Sequence, residues 1–300
     1  MSGKAQNRTV GVSRRHDSAL KHVMGQAFYI DDMPAPPDTL HAALVLSQVA
    51  CGRLSKLDLS AVAVSPGVVA VLAAVGQGEP LFAVDRVEHA GQPLALVVAE
   101  SLDAARQAAE RAVIEIDEEV PILDIATALA KKAYVQAPVT VQRGEVEAAL
   151  ARAPHRLTAQ FSVGGQEHFY LEGQIALALP GEDGDLVVHS STQHPTEVQH
   201  ICARLLGCDF NRITAVVRRL GGGFGGKESN ASWVAGAAAL AADRTGRPVK
   251  LRLPREIDMV ATGKRHGFDY RYTVGFDDEG RVLVLDAELA ADAGWSLDLT

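Results

Sequence analysis

The sequence predicts an α+β protein organised as two domains. Three observations lead there. Three hundred residues exceed what a single hydrophobic core usually organises. Before residue 120, strand-like apolar runs flank a segment of strong helix formers; after residue 140, short strands, helices and turn residues alternate without a repeat. The composition, 47% hydrophobic and 22% charged, suits a chain that buries a sizeable core.

Residues 1–22 read as a flexible tail, with Arg8, Arg14, Arg15 and His16 among polar neighbours. The first domain covers 23–122. Within it, Leu40–Ser47 and Val68–Ala74 read as strands, the second set up by the turn pair Pro66-Gly67. Leu94–Ala99 is a continuous apolar run of the buried-strand kind. Ser101 offers an N-cap to a helix over Leu102–Ala112, and Val113–Ile116 resumes as a strand. That strand–helix–strand unit makes the first domain α/β.

A connector over 123–140 carries a short helix, Asp124–Lys132. The second domain takes 141–300. Arg156–Val163, Ile175–Leu179 and Leu186–His189 read as strands, with a polar turn at Gly181–Asp185. Pro195 suits the first position of a helix closed by Gly207. Ile213–Leu220 is a strand, 221–226 a glycine loop, and Glu228–Ala242 a helix stopped by Gly246. Val249–Leu253, Phe268–Gly275 and Arg281–Leu289 complete the pattern, the last two joined by the turn 277–280. The chain ends at Gly294–Thr300 without a helix-stop signal, so the second domain reads as a first part, truncated at the C-terminus.

Charge and cysteine usage exclude several classes. With 29 basic against 37 acidic residues, a net charge of −8, and no long basic stripe, nucleic acid is a poor partner. The longest apolar run, near Ala235–Ala242, falls short of the ~20 residues of a membrane span. Met1–Asp17 shows no apolar signal-peptide core, which makes the cytoplasm the expected compartment. Cys51, Cys202 and Cys208 form no C-x-x-C pair, so neither a disulfide scaffold nor an iron–sulfur site is expected on this chain. Cys202 and Cys208 read as buried structural thiols. His189, His194 and His200 fall on strand, turn and helix, which argues against a zinc site.

The most informative segment is Arg218-Arg219-Leu220-Gly221-Gly222-Gly223-Phe224-Gly225-Gly226-Lys227-Glu228-Ser229. Such a run exposes backbone N–H groups and lets a ligand approach closely, and the helix behind it favours an anion or oxo group. Gly221, Gly226 and Lys227 fit the spacing of a phosphate-binding loop, but Glu228 stands where Ser or Thr must hold Mg²⁺. Strand alternation lets only one of Arg218 and Arg219 face the loop. Alone, the loop could equally be a turn packing a helix on a strand.

Other segments agree with it in order and spacing. They are His16-Asp17-Ser18-Ala19, Gly25–Asp32, Gly91-Gln92-Pro93, Gly164–Gly173, Ser190–Pro195, Lys264-Arg265-His266 and Gly294-Trp295-Ser296. Together they resemble the molybdenum-binding chain of xanthine dehydrogenases, in the xanthine oxidase or molybdenum hydroxylase family. The resemblance covers nearly the whole chain; Gly76–Glu88 departs most from the pattern. It implies an α/β hammerhead domain followed by the first part of a molybdopterin-binding domain.

The resemblance further implies a molybdenum cofactor whose metal is held by pterin sulfurs rather than by side chains. Gln193 matches the glutamine that reaches toward a molybdenum oxo ligand. Phe224 and Gly225 match the loop residues beside the metal, and Glu228 the glutamate that orients a purine ring. Read alone, Glu228 is a first-turn glutamate favoured by the helix dipole, and His168 a structural residue behind the site. The implied activity is hydroxylation of hypoxanthine and xanthine to urate. Electrons would pass through 2Fe-2S clusters and FAD on a separate small subunit to NAD, in a hetero-oligomer. The family's base glutamate and substrate-clamping arginine match nothing in these residues, so the chain alone is expected to be inert. Alternatives are an aldehyde-oxidising or other molybdenum hydroxylase, and a non-catalytic scaffold.

Overall fold

The computed structural model describes residues 10–73 and 81–297. A short helix α1 (Ala19–Val23) begins inside the expected tail. Then follow β1 (Leu40–Leu46), β2 (Gly52–Asp58), α2 (Ser60–Ala63), β3 (Val68–Leu72), β4 (Arg86–Val87), β5 (Pro93–Ala99), α3 (Leu102–Ala109) and β6 (Val113–Glu118). Next come α4 (Ile125–Lys131), α5 (Val146–Arg152), β7 (His155–Val163), β8 (Ile175–Pro180), β9 (Leu186–Ser190), α6 (Pro195–Leu206) and β10 (Ile213–Val216). The series closes with α7 (Asn230–Thr245), β11 (Val249–Arg252), α8 (Arg255–Ala261), β12 (Phe268–Phe276) and β13 (Val282–Ala291).

Capping chemistry explains several boundaries. Ser101 accepts the Ala104 N–H and Asp124 the Thr127 N–H, starting α3 and α4. Pro195 opens α6, and Gly207 and Gly246 end α6 and α7 in the left-handed region. The helix expected to run to Ala112 stops at Ala109, and Arg111 instead reaches the Ser65 hydroxyl. Ala74, the expected end of the second strand, lies outside the described residues.

The two expected domains share one sheet. Its order is β10-β9-β8-β11-β1-β5-β3, so four strands of the second region and three of the first lie side by side in a single layer. The join is parallel, with Leu40 opposite Val249 and Ala42 opposite Leu251. Both regions supply apolar strands to the same core. Leu40, Ala42, Leu96 and Val98 cluster with Val234, Ala238 and Leu240 of α7. That helix is alanine-rich, and small side chains let it lie buried across the sheet. On the other face Val45, Ala95 and Val97 pack with Leu54, Leu57, Ile114 and Ile116, under the small sheet β4-β2-β6.

A third sheet, β13-β12-β7, stands on its own antiparallel ladder. One face carries Leu157, Phe161, Tyr270, Tyr272, Leu285 and Leu289, with Phe161 stacked 4.9 Å from Tyr270. The remaining face receives α5, whose Leu150 and Ala153 lie against Gly275.

Two expectations about the glycine loop are corrected. The strand expected over Ile213–Leu220 ends at Val216, whose pairing with His189 is the last between β10 and β9. Arg218 and Arg219 are therefore not on a strand, and alternation does not govern them. The helix expected from Glu228 begins at Asn230, leaving Glu228 on the bend that precedes it.

Candidate functional site

The pairings Ala176–Ser190, Val216–His189 and Ile175–Arg252 bring the start of β8 and the ends of β9, β10 and β11 to one edge of the main sheet. Three connecting segments meet there: 164–174 before β8, 191–194 after β9, and 217–229 after β10. Strand ends of this kind are where sites on such sheets gather.

Gln193 and the glycine loop do come together. The Gln193 N–H donates to the Lys227 carbonyl at 2.8 Å. The Gln193 side-chain oxygen Oε1 accepts the Gly225 N–H at 2.9 Å and the Lys227 N–H at 3.3 Å. Two N–H donors require the oxygen on that side, so the amide nitrogen Nε2 is the outward end, with two protons to donate. Gln193, Phe224 and Gly225 are exposed. Gly225 sits at φ +91°, and a Cβ on Gly223 would collide with the Gln193 amide. Phe224 itself takes φ +54°, a conformation that bulky residues hold only where the surroundings impose it.

Glu228 is half-buried, and its carboxylate has no hydrogen-bond or ion-pair partner among the described residues. Its neighbour behaves differently. Lys227 is fully buried. Its Nζ donates at 2.6 Å to both the Glu172 carbonyl and the Ser191 hydroxyl, stands 3.7 Å from Glu172 Oε2, and lies 4.5 Å over the Tyr170 ring. Burial pushes its ammonium down to about 8, against the pull of Glu172 and Asp258. An ammonium turned inward does not serve phosphates, and this removes the nucleotide reading of the loop.

Glu172 is the other half of this arrangement. Its Oε2 accepts the Gly221 N–H at 2.8 Å and the Ser191 hydroxyl at 2.7 Å, while Oε1 is buried without a hydrogen-bond partner among the described residues. Below lies Asp258, 1% exposed, which accepts from the Tyr170 hydroxyl and the Gln174 N–H. Gln174 Nε2 donates to the Gly226 carbonyl at 3.0 Å. Burial and Asp258 raise the Tyr170 phenol. The His168 ring stacks on Tyr170 and lies against Gly226, so it supports the loop itself. Burial lowers its imidazole.

The sequence reading missed Tyr170, Glu172, Gln174, Lys227 and Asp258 as a connected group. Glu172 and Lys227 lay in the motifs already noted, but pairing across 55 residues leaves no local signal. Among the described residues no three His, Cys, Asp or Glu side chains gather as a metal site, and His189, His194 and His200 do not do so. Cys202 is buried with its thiol pushed up to about 12 by burial, and Cys208 is partly buried beside it.

Comparison with known proteins names the arrangement. The molybdopterin cofactor-binding domain matches residues 129–300, more than half of the chain. The chain belongs to the molybdopterin cofactor-binding family. The a/b hammerhead domain of aldehyde oxidase and xanthine dehydrogenase matches residues 24–120. Among curated relatives, xanthine dehydrogenase of Emericella nidulans is 37% identical over 313 residues, covering 100% of this chain and 23% of that protein. Xanthine dehydrogenase 1 of Arabidopsis thaliana is 39% identical over 311 residues, covering 98% and 23%. The chain thus spans 23% of the length of these two relatives. The fold is shared with quinoline 2-oxidoreductase of Pseudomonas putida, with TM-score 0.82, 24% identity, and 94% of this chain on 39% of that one. Aldehyde oxidoreductase of Desulfovibrio gigas gives TM-score 0.79 at 26% identity, over 92% and 34%.

The residues at the loop fit the cofactor this family is named for. An outward Gln193 amide, the uncovered backbone at Gly225 and an absence of side-chain metal ligands among the described residues suit a group that carries its own donors.

Proposed function

We propose that this chain forms one wall of the molybdenum-cofactor site of a xanthine dehydrogenase, in an enzyme that hydroxylates hypoxanthine and xanthine to urate. The observation that carries the reading is the Gln193 amide, whose oxygen is held by the Gly225 and Lys227 N–H groups. When bound, the cofactor supplies the redox metal that oxidises the substrate carbon. Gln193 Nε2 would serve as a fixed hydrogen-bond donor to that group, and Phe224 and Gly225 would line its approach with backbone. A donor fixed before the reaction costs no reorganisation during it.

Glu228 orients the purine. A half-buried carboxylate without a hydrogen-bond or ion-pair partner among the described residues is free to accept from a ring N–H. The roles of general base and substrate clamp are assigned to no residue of this chain. Electrons leave through 2Fe-2S clusters and FAD of a small partner subunit to NAD, in a cytoplasmic hetero-oligomer. Among the described residues, no helix is long and apolar enough to cross a membrane.

An aldehyde substrate is the second reading, because a neighbour at 26% identity is an aldehyde oxidoreductase. The assembly purified from its source separates the two. With Glu228→Gln, kcat/KM for hypoxanthine is expected to fall by roughly a hundredfold while benzaldehyde turnover is unmoved. Benzaldehyde oxidation without any hypoxanthine turnover in the wild-type assembly would replace the purine reading by the aldehyde one.

A further inference from the structure

We propose that Lys227 is a positioning residue, paired with Glu172, which latches the glycine loop so that Gln193 presents its amide. The inference rests on the reading of this loop as a cofactor wall and adds a residue pair that holds it. Three segments converge on the pair. Lys227 Nζ holds the Glu172 carbonyl and the Ser191 hydroxyl, Glu172 Oε2 holds the Gly221 N–H and Ser191, and the Lys227 backbone holds Gln193 and Thr192. Gly221 and Lys227, the first and seventh residues of the segment 221–227, thereby both reach Glu172, one through its N–H and the other through its ammonium.

The chemistry of the pair is what makes it a latch rather than filler. Lys227 is 0% exposed and the Glu172 side chain 10%. Each is therefore stranded if the other is neutralised, since a buried charge without its partner is strongly unfavourable. Replacing both by neutral groups of similar size leaves no stranded charge. Independent packing losses would instead add, leaving the double variant more disturbed than either single.

The test uses the assembly as purified from its source, in wild type, Lys227→Met, Glu172→Gln and the double variant. Two quantities are read: hydrogen exchange of amides 221–229, and pterin per chain. Each single variant is expected to speed exchange of the loop by about tenfold or more and to lower pterin content. The double variant should return to within about threefold of wild type. A double variant as fast as, or faster than, both singles would overturn the latch. So would single variants with wild-type exchange while the wild-type assembly carries pterin. A wild-type assembly without pterin would overturn the reading of the site instead, whatever the exchange pattern.

Discussion

Gln193 Oε1 lies 2.9 Å from the Gly225 nitrogen, and that one hydrogen bond decides which end of the Gln193 amide faces outward. The side chain follows β9 and the glycine follows β10, so the contact depends on the parallel pairing of those strands, with Ile213 opposite Leu186. The meeting of these two residues is a consequence of sheet order.

Gln193→Glu keeps size and removes the donor. Its outward oxygen would also repel a negatively polarised ligand where the amide offers a donor. Purine turnover by the assembly is expected to fall by roughly a hundredfold or more, with the thermal midpoint nearly unchanged. Steady-state urate formation and thermal unfolding on the same preparations check it.

Gly223→Ala places a methyl group against the Gln193 amide. Overpacking of this kind costs about 1–3 kcal/mol, so denaturant unfolding should show a lowered midpoint. Gly223 lies outside the left-handed region, so the loss reports the collision and not backbone strain.

Lys227 titrates near 8 in the folded chain against an ordinary value of 10.5. The unfolded chain holds this proton more tightly, so folding is penalised below pH 8 and the penalty is relieved as pH rises to 10.5. Relative to Lys227→Met, wild-type stability is expected to increase across that window by up to about 3 kcal/mol. Chemical denaturation of both proteins at pH 7.5 and pH 10 reads the difference. A constant gap between them would show that Lys227 titrates normally.

The apolar face of β13-β12-β7 exposes Leu157 at 62% and Leu285 at 52%. Exposed apolar faces of sheets favour association. Leu157→Lys with Leu285→Lys is expected to cost little thermal stability, since both side chains are already exposed, and thermal unfolding checks it.

How far the sequence carried the fold varies by element. Helix ends with a local signal were legible, such as the start of α4 at Asp124 and the stop of α6 at Gly207. The extent of β10 was not, since it depends on how far its pairing with β9 runs. The common sheet was hidden for the same reason: nothing near Leu40 announces Val249 as its partner. At the site, Gln193, Phe224, Gly225 and Glu228 stood out through a long motif. Lys227 and Glu172 did not, because a lysine beside five glycines reads as exposed until the fold shows it pointing inward.

Molybdenum and pterin, counted per chain in the assembly purified from its source, test the central claim most directly. The account predicts one molybdenum and one pterin per chain (about equimolar), with both reduced in Gly223→Ala, where the Gln193 amide is displaced. An assembly that contains neither, though folded and complete, would contradict it.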